Sequence, residues 1–264
     1  KIDVLNSEVI IMKVAVIGSG GWGTALAVML AKTGSEVTLW SFDEKEYQRL
    51  FNDRENRAFL PGVLFPEGMK CTNDLSVAKD ADIVVIAAGV AQKDGETRLD
   101  LLQRNAGVFR SIITPVVKSG FDGIFLVATN PVDIMTRVTY ELSRFGASRV
   151  IGTGTSLDTA RLRYLLGDYF MVDPKNIHAY VMGEHGDSEF APISQMMLAT
   201  KRITEVLEDN GCVYCIEDMK KIEEQVRTAA YKIIEAKNAT YYGIGMAITR
   251  IVKAILGDEN SVLT

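Results

Sequence analysis

The run Lys13-Val14-Ala15-Val16-Ile17-Gly18-Ser19-Gly20-Gly21-Trp22-Gly23-Thr24-Ala25-Leu26-Ala27 decides the fold. Val14 to Ile17 is apolar on both faces, as in a strand buried inside a parallel sheet, and an apolar helical stretch from Thr24 to Lys32 follows the glycines. Between them stands G-x-G-x-x-G, with Gly18 permitting a tight turn, Gly20 admitting a pyrophosphate close to the backbone and Gly23 allowing the helix to pack closely. Unpaired N–H groups at the start of the helix would face the phosphates. A tight strand-to-helix turn without a ligand is the alternative, and the strand, turn and helix context argues for the dinucleotide loop.

Outward from this loop, strands are expected at Glu36 to Trp40, Ile83 to Ala87, Ile124 to Ala128 and Val150 to Gly152, with helices near Asp43 to Asn52 and Leu99 to Lys118. Strands alternating with helices predict a doubly wound, Rossmann-type α/β domain over residues 12–155, preceded by a short extension at 1–11. The pattern then changes. Residues 156–264 predict a smaller α+β domain, with a helix from Leu157 to Leu166, a strand from Ile177 to Met182 and helices from Ile216 to Lys237 and from Tyr242 to Leu256. In the long helix, Ile216, Met219, Ile222, Val226, Ala229 and Ile233 recur every three or four residues, a stripe that suits the core better than a binding groove.

The 264 residues carry 29 Lys and Arg against 34 Asp and Glu, and 47% are hydrophobic, so a sizeable core is expected and disorder or a fibre is not. Negative net charge without a dense basic block argues against nucleic acid. No apolar run approaches the ~18–20 residues of a membrane span and no export signal is seen, which predicts a cytoplasmic protein. Cys71, Cys212 and Cys215 form no disulfide framework, and the lone C-x-x-C pair lacks the partners of a zinc site. No metal is expected. Only His178 and His185 are available for imidazole chemistry.

The choice of dinucleotide turns on the end of the second strand, where a carboxylate ordinarily accepts the ribose hydroxyls of NAD. Ser41 occupies that position, while Asp43 lies 20 residues after Gly23. With no arginine beside them to bind a 2′-phosphate, NAD is favoured and NADP stays open.

Residues from about 12 to 82 resemble the NAD(P)-dependent glycerol-3-phosphate dehydrogenases, through Gly21-Trp22-Gly23-Thr24-Ala25-Leu26-Ala27, Leu39-Trp40, Arg54-Glu55-Asn56, Leu60-Pro61-Gly62 and Thr72-Asn73-Asp74-Leu75. From about 83 to 264 the chain resembles the L-lactate/malate dehydrogenase family. The motifs are Gln92-Lys93-Asp94-Gly95-Glu96-Thr97-Arg98-Leu99, Thr129-Asn130-Pro131-Val132-Asp133, Leu157-Asp158-Thr159-Ala160-Arg161 and Gly183-Glu184-His185-Gly186-Asp187. The two resemblances together predict a chimera joined near Ile83, with a carboxy-terminally truncated substrate domain.

Reducing a 2-oxo acid by hydride transfer needs a proton donor at the carbonyl oxygen, positive charge beside it and a clamp on the carboxylate. His185 is the expected donor, Asp158 would hold its imidazole and stabilise the imidazolium, and Arg161, on the same helical face as Asp158, would grip the carboxylate. Asp158 and Arg161 alone would suit a surface pair better; joined to His185 they read as a site. The resemblance implies that Arg98 polarises the carbonyl, that Gln92 selects pyruvate over oxaloacetate, that Thr240 lines the substrate pocket, and that Asn130 lies near the nicotinamide before a cis proline. The expected cofactor contacts are Gly18, Gly20, Trp22, Gly23, Ser41, Gly89 and Asn130. Arg163 and His178 match positions that bind fructose 1,6-bisphosphate between subunits, with an ordinary surface pair as the alternative. The resulting expectation is an NAD-dependent L-lactate dehydrogenase-like homo-oligomer. The alternatives are a glycerol-3-phosphate dehydrogenase or a catalytically silent NAD-binding chimera.

Overall fold

A computed structural model describes residues 11–90, 95, 97–209, 214–237 and 242–264, without the side chains of Arg98 and residues 234–237. Two compact units divide the chain, one comprising Lys1–Leu126 and Val138–Ile151, the other Val127–Arg137 and Gly152–Thr264.

The first unit is built on a six-stranded sheet. In chain order the strands and helices are β1 (Lys13–Ile17), α1 (Gly21–Lys32), β2 (Glu36–Trp40), α2 (Glu44–Asp53), β3 (Lys70–Thr72), β4 (Ile83–Ile86), α3 (Arg98–Lys118), β5 (Ile124–Val127), α4 (Val132–Ser143) and β6 (Val150–Gly152), of which Val127, Val132–Arg137 and Gly152 fall in the second unit. The strand order is β3-β2-β1-β4-β5-β6, with β1 parallel to β2 and β4 and β2 parallel to β3. This is the doubly wound sheet expected of the strand and helix alternation. Central strands β1 and β4 are buried almost throughout, because helices cover both faces of such a sheet.

Two elements of this unit lay outside the sequence reading. Strand β3 is three residues long, too short for a period to show. Helix α4 buries Val132, Met135, Thr139 and Ser143, and the two polar residues on that inner face hide its helical stripe. Helix α2 starts where Asp43 accepts the Glu46 N–H at 2.7 Å, a side-chain cap on an otherwise orphaned donor. It ends at Arg54 in the left-handed region, φ 53°, held there by guanidinium bonds to the carbonyls of Pro66 and Met69 at 2.7 and 2.6 Å.

The second unit contains α5 (Ser156–Phe170), β7 (Ile177–His178), β8 (Met197–Leu198), β9 (Lys201–Arg202), α6 (Ile203–Asp209), α7 (Ile216–Lys237) and α8 (Tyr242–Leu256). Its core gathers Leu162, Leu166 and Phe170 of α5, Met219, Ile222 and Val226 of α7, and Ile177, Ala179 and Val181 between them. Each of these larger side chains, Ala179 aside, contributes about 1.5–3 kcal/mol when fully buried. The apolar stripe read along α7 is therefore core over its middle, while Ile216 stays exposed.

The expected strand from Ile177 to Met182 is corrected to the two residues of β7. Beyond His178, Ala179 and Val181 stay buried, but α5 and its N-cap residue Thr155 supply their hydrogen bonds. Arg163 Nε donates to the Ala179 carbonyl at 2.8 Å, Thr155 Oγ1 donates to the Val181 carbonyl at 2.6 Å, and the Val181 N–H donates to Thr159 Oγ1 at 2.9 Å. Side chains satisfy the backbone where a neighbouring strand would otherwise do so. Among the described residues no helix is long and apolar enough to cross a membrane.

Candidate active site

The phosphate loop in the first unit has a tight turn at Gly18 and close helix packing at Gly23, as its spacing predicts. Gly18 has φ +114°, and a Cβ there would stand 2.7 Å from the Ala88 nitrogen. A Cβ on Gly23 would fall 1.7 Å from the Gly18 carbonyl oxygen, so helix and turn are in contact at that point. Gly20 faces open space and caps α1 without any side-chain hydrogen bond, which leaves the N–H groups of the first turn available. Side chains pin the loop from behind, since Asn56 Nδ2 donates to the Ser19 carbonyl and to Thr24 Oγ1, both at 2.8 Å. An open backbone cradle at a helix N-terminus fits a dinucleotide pyrophosphate. Trp22 is half-buried in the first turn of α1, and Gly89 is exposed just beyond β4.

Ser41 follows β2 as expected but is buried, with its hydroxyl turned inward to Ser19 Oγ at 2.9 Å and Glu46 Oε2 at 2.8 Å. Glu46, which the sequence analysis does not name, meets Ser41 at the strand end. A clue lay in the spacing, because Asp43 capping α2 turns Glu46 back toward the strand end.

In the second unit, Asp158 in the first turn of α5 is almost fully buried and bridges two cations. Its Oδ2 lies 2.7 Å from His185 Nδ1 and its Oδ1 3.1 Å from Arg161 Nη1. His185 and Arg161 had to meet Asp158 for the expected site to exist, and the fold brings all three together. His185 Nε2 takes no hydrogen bond among the described residues.

The loop carrying His185 is closed by paired backbone bonds between Met182 and Phe190, at 2.8 and 3.0 Å. Gly183 and Gly186 turn it with φ +92° and +121°. Five residues given no role in the sequence analysis hold it. Asp133 Oδ2 accepts the His185 N–H at 2.9 Å, and the buried Glu189 places Oε2 3.5 Å from His185 Nδ1. From α7, Glu223 accepts the Ala191 N–H, Arg227 donates to the Glu189 carbonyl and Tyr231 donates to Asp187. Residues 223, 227 and 231 recur every four positions, a polar stripe that was legible beside the apolar one.

Hydrogen bonding to Asp158 and then to Glu189 outweighs the opposing effect of burial and lifts the His185 imidazole to about 10. The imidazolium is thus the resting form at neutral pH. Asp158, His185 and Glu189 bring their ligand-type atoms within 4.8 Å of one another. The 2.7 Å contact is a hydrogen bond, shorter than the roughly 3.4 Å between two ligands at ~2.0–2.1 Å on a tetrahedral ion.

The remaining expected residues fall as follows. Asn130 is exposed after β5, and its bond to Pro131 is cis, as the resemblance implied. Arg98 is the first residue of α3, fixed there by a capping box between Thr97 and Asp100. Gln92 and Thr240 lie outside the described residues. Arg163 bonds the Ala179 carbonyl and lies over the Tyr180 ring at 4.7 Å, while His178 is exposed on β7. A cleft of about 540 Å³ between α5 and α7 is lined by Leu157, Ala160, Arg161 and Tyr164, among others, but His185 is not part of it.

Comparison with known proteins supplies the decisive match. The model of the lactate/malate dehydrogenase NAD binding domain matches residues 12–152, and that of the lactate/malate dehydrogenase alpha/beta C-terminal domain matches residues 155–264. The chain belongs to the lactate/malate dehydrogenase family. "L-lactate dehydrogenase 2" of Bacillus cereus is 46% identical over 254 residues, 96% of this chain and 80% of the relative. "L-lactate dehydrogenase 1" of another Bacillus cereus strain is 57% identical over 186 residues, 70% of this chain and 59% of the relative. Among solved structures, a lactate dehydrogenase from a Medee basin deep-sea metagenome library superposes with a TM-score of 0.85 at 43% identity, covering 96% of this chain and 80% of that one. The ligands-bound minor L-lactate dehydrogenase of Enterococcus mundtii gives 0.84 at 41% identity, with the same coverage. The expected join near Ile83 finds no support here, because a single family domain runs through it. The chain is an NAD-dependent 2-hydroxy acid oxidoreductase of this family.

Proposed function

We propose that this chain interconverts L-lactate and pyruvate, with His185 as the proton donor in reduction and the proton acceptor in oxidation. The observation that carries the proposal is the 2.7 Å contact between His185 Nδ1 and the buried Asp158 carboxylate, which leaves Nε2 for the substrate. NAD, when bound, supplies the hydride donor or acceptor. Asp158 fixes the tautomer and stabilises the imidazolium, so the proton stays at Nε2 until the carbonyl oxygen needs it. Arg161 spends one nitrogen on Asp158 and keeps the rest of its planar fork for the substrate carboxylate.

Arg98 polarising the carbonyl, Thr240 lining the pocket and Asn130 beside the nicotinamide complete the proposal. Gln92 offers no charge for a second carboxylate, which favours pyruvate over oxaloacetate. The regulatory part of the same proposal is fructose 1,6-bisphosphate bound by Arg163 and His178 between copies of the chain. The test is NADH oxidation by the purified protein with pyruvate, oxaloacetate or dihydroxyacetone phosphate, with and without fructose 1,6-bisphosphate. Turnover of pyruvate above the other two supports the reading, and turnover of dihydroxyacetone phosphate alone overturns it. Gln92→Arg is expected to raise the use of oxaloacetate relative to pyruvate.

A further inference from the structure

We propose that Glu46, reaching back from the first turn of α2, accepts the 2′-hydroxyl of the dinucleotide's adenosine ribose and is the residue that excludes a 2′-phosphate. This rests on the dinucleotide reading of the phosphate loop and assigns a role that the end of β2 leaves unfilled. Both residues at the ordinary place for a ribose carboxylate hold Glu46 in position instead. Ser41 is 1% exposed with its hydroxyl turned inward, and Asp43 Oδ1 accepts the Glu46 N–H at 2.7 Å as the cap of α2.

Glu46 is tied to the loop that would hold the pyrophosphate. Its Oε2 lies 2.9 Å from Ser19 Oγ, the residue between Gly18 and Gly20, and 2.8 Å from Ser41 Oγ, while the two hydroxyls are 2.9 Å apart. Two hydroxyl protons serve these three contacts, so at least one of them points at the carboxylate. An ionised carboxylate accepts at up to about four lone-pair sites, and Oε1 takes no partner among the described residues. Glu46 is half-buried and immobilised by two buried serines, so it meets a ribose hydroxyl with little ordering cost.

The same geometry repels a 2′-phosphate, which would bring a second anion against a fixed carboxylate. Asp43 and Glu44 add negative charge at the same end of α2, and Lys45, between Glu44 and Glu46, is an exposed cation beside them. Selection for NAD therefore comes from a helix placed behind the strand end, with the serine at the strand end acting as a support for it.

The test is equilibrium binding of NADH and NADPH to the whole chain, followed by nucleotide fluorescence without substrate. Wild-type protein is expected to bind NADH the more tightly, and Glu46→Gln to lower the NADH-to-NADPH affinity ratio by about tenfold or more, the loss expected for a hydrogen bond to a charged group. Glu46→Asp, which keeps the charge but withdraws it by one methylene, is expected to weaken NADH while still rejecting NADPH. Lys45→Ala is expected to leave the ratio in favour of NADH. An unchanged ratio in Glu46→Gln overturns the proposal. Should that variant fail to fold, wild-type NADH affinity in Glu46→Asp overturns it instead. A wild-type protein that binds neither nucleotide overturns the dinucleotide reading and this proposal with it.

Discussion

The phosphate loop and the His185 cluster are built by opposite means. The loop is made of backbone, and the three glycines of its G-x-G-x-x-G spacing lie within six consecutive residues, Gly18 kept bare by φ and a close neighbour, Gly23 by contact with the Gly18 carbonyl, and Gly20 facing open space. The cluster is made of side chains drawn from residues 133, 158, 161, 185 and 189, and its geometry depends on α5 and α7 holding one loop between them. A site written in backbone conformation is local, and at Gly18 and Gly23 it tolerates no added atoms. A site written in side chains is dispersed and depends on partners that no local pattern announces.

The largest effect expected from this contrast is on the dispersed site. His185→Asn removes the proton donor and should lower pyruvate turnover by ~10²–10⁴-fold, the usual contribution of a general acid, while NADH binding measured by fluorescence stays intact. Equal losses in turnover and NADH affinity would mean that the two sites are not separable. The local site should split in the opposite way. In Gly23→Ala the new methyl would meet the Gly18 carbonyl oxygen, so thermal unfolding should show a loss of about 1–3 kcal/mol together with lost nucleotide affinity. Gly20→Ala meets nothing in the protein and should leave the melting temperature nearly unchanged while weakening NADH.

What the sequence made legible follows the same division. The loop, most of the strands and helices around it and the full lengths of α7 and α8 could be read, because periodicity and glycine spacing are local signals, while the three-residue β3 and the polar-faced α4 could not. His185, Asp158 and Arg161 could be named only through motifs, and their supports were missed. Glu189 lies four residues after His185 but in a loop, where no helical face signals contact. Asp133 lies 52 residues away and reaches the His185 backbone from the start of α4. Strand β7 was read too long because burial of Ala179 and Val181 imitates a strand, whereas Arg163, Thr155 and Thr159 satisfy that backbone from α5. Glu46 escaped because a residue in a helical turn was not weighed for a task ordinarily done at a strand end.

Smaller effects should sharpen the account of the cluster. Glu189→Gln removes the second of the two hydrogen-bonding carboxylates that raise His185, so the alkaline limb of pyruvate reduction should move to lower pH. A limb that stays in place would leave Asp158 as the sole influence. Stability should carry a signature of the same interaction. The folded protein holds the imidazole at about 10, against about 6.5 for an unperturbed histidine. Stabilisation from His185 is therefore fully present below about pH 6.5 and lost as pH rises toward 10. Denaturant unfolding of wild type against His185→Asn should show the difference shrinking across that interval, and a constant difference would argue against a charged His185 in the fold.

The most direct test of the central claim is the pH dependence of kcat/KM for pyruvate reduction, measured alongside lactate oxidation in wild type and in His185→Asn. With His185 as the proton donor, reduction falls and oxidation rises as the imidazolium loses its proton toward pH 10, and both dependences vanish in the variant. Pyruvate reduction that continues unchanged through that range, or that keeps its alkaline limb in His185→Asn, would contradict the account.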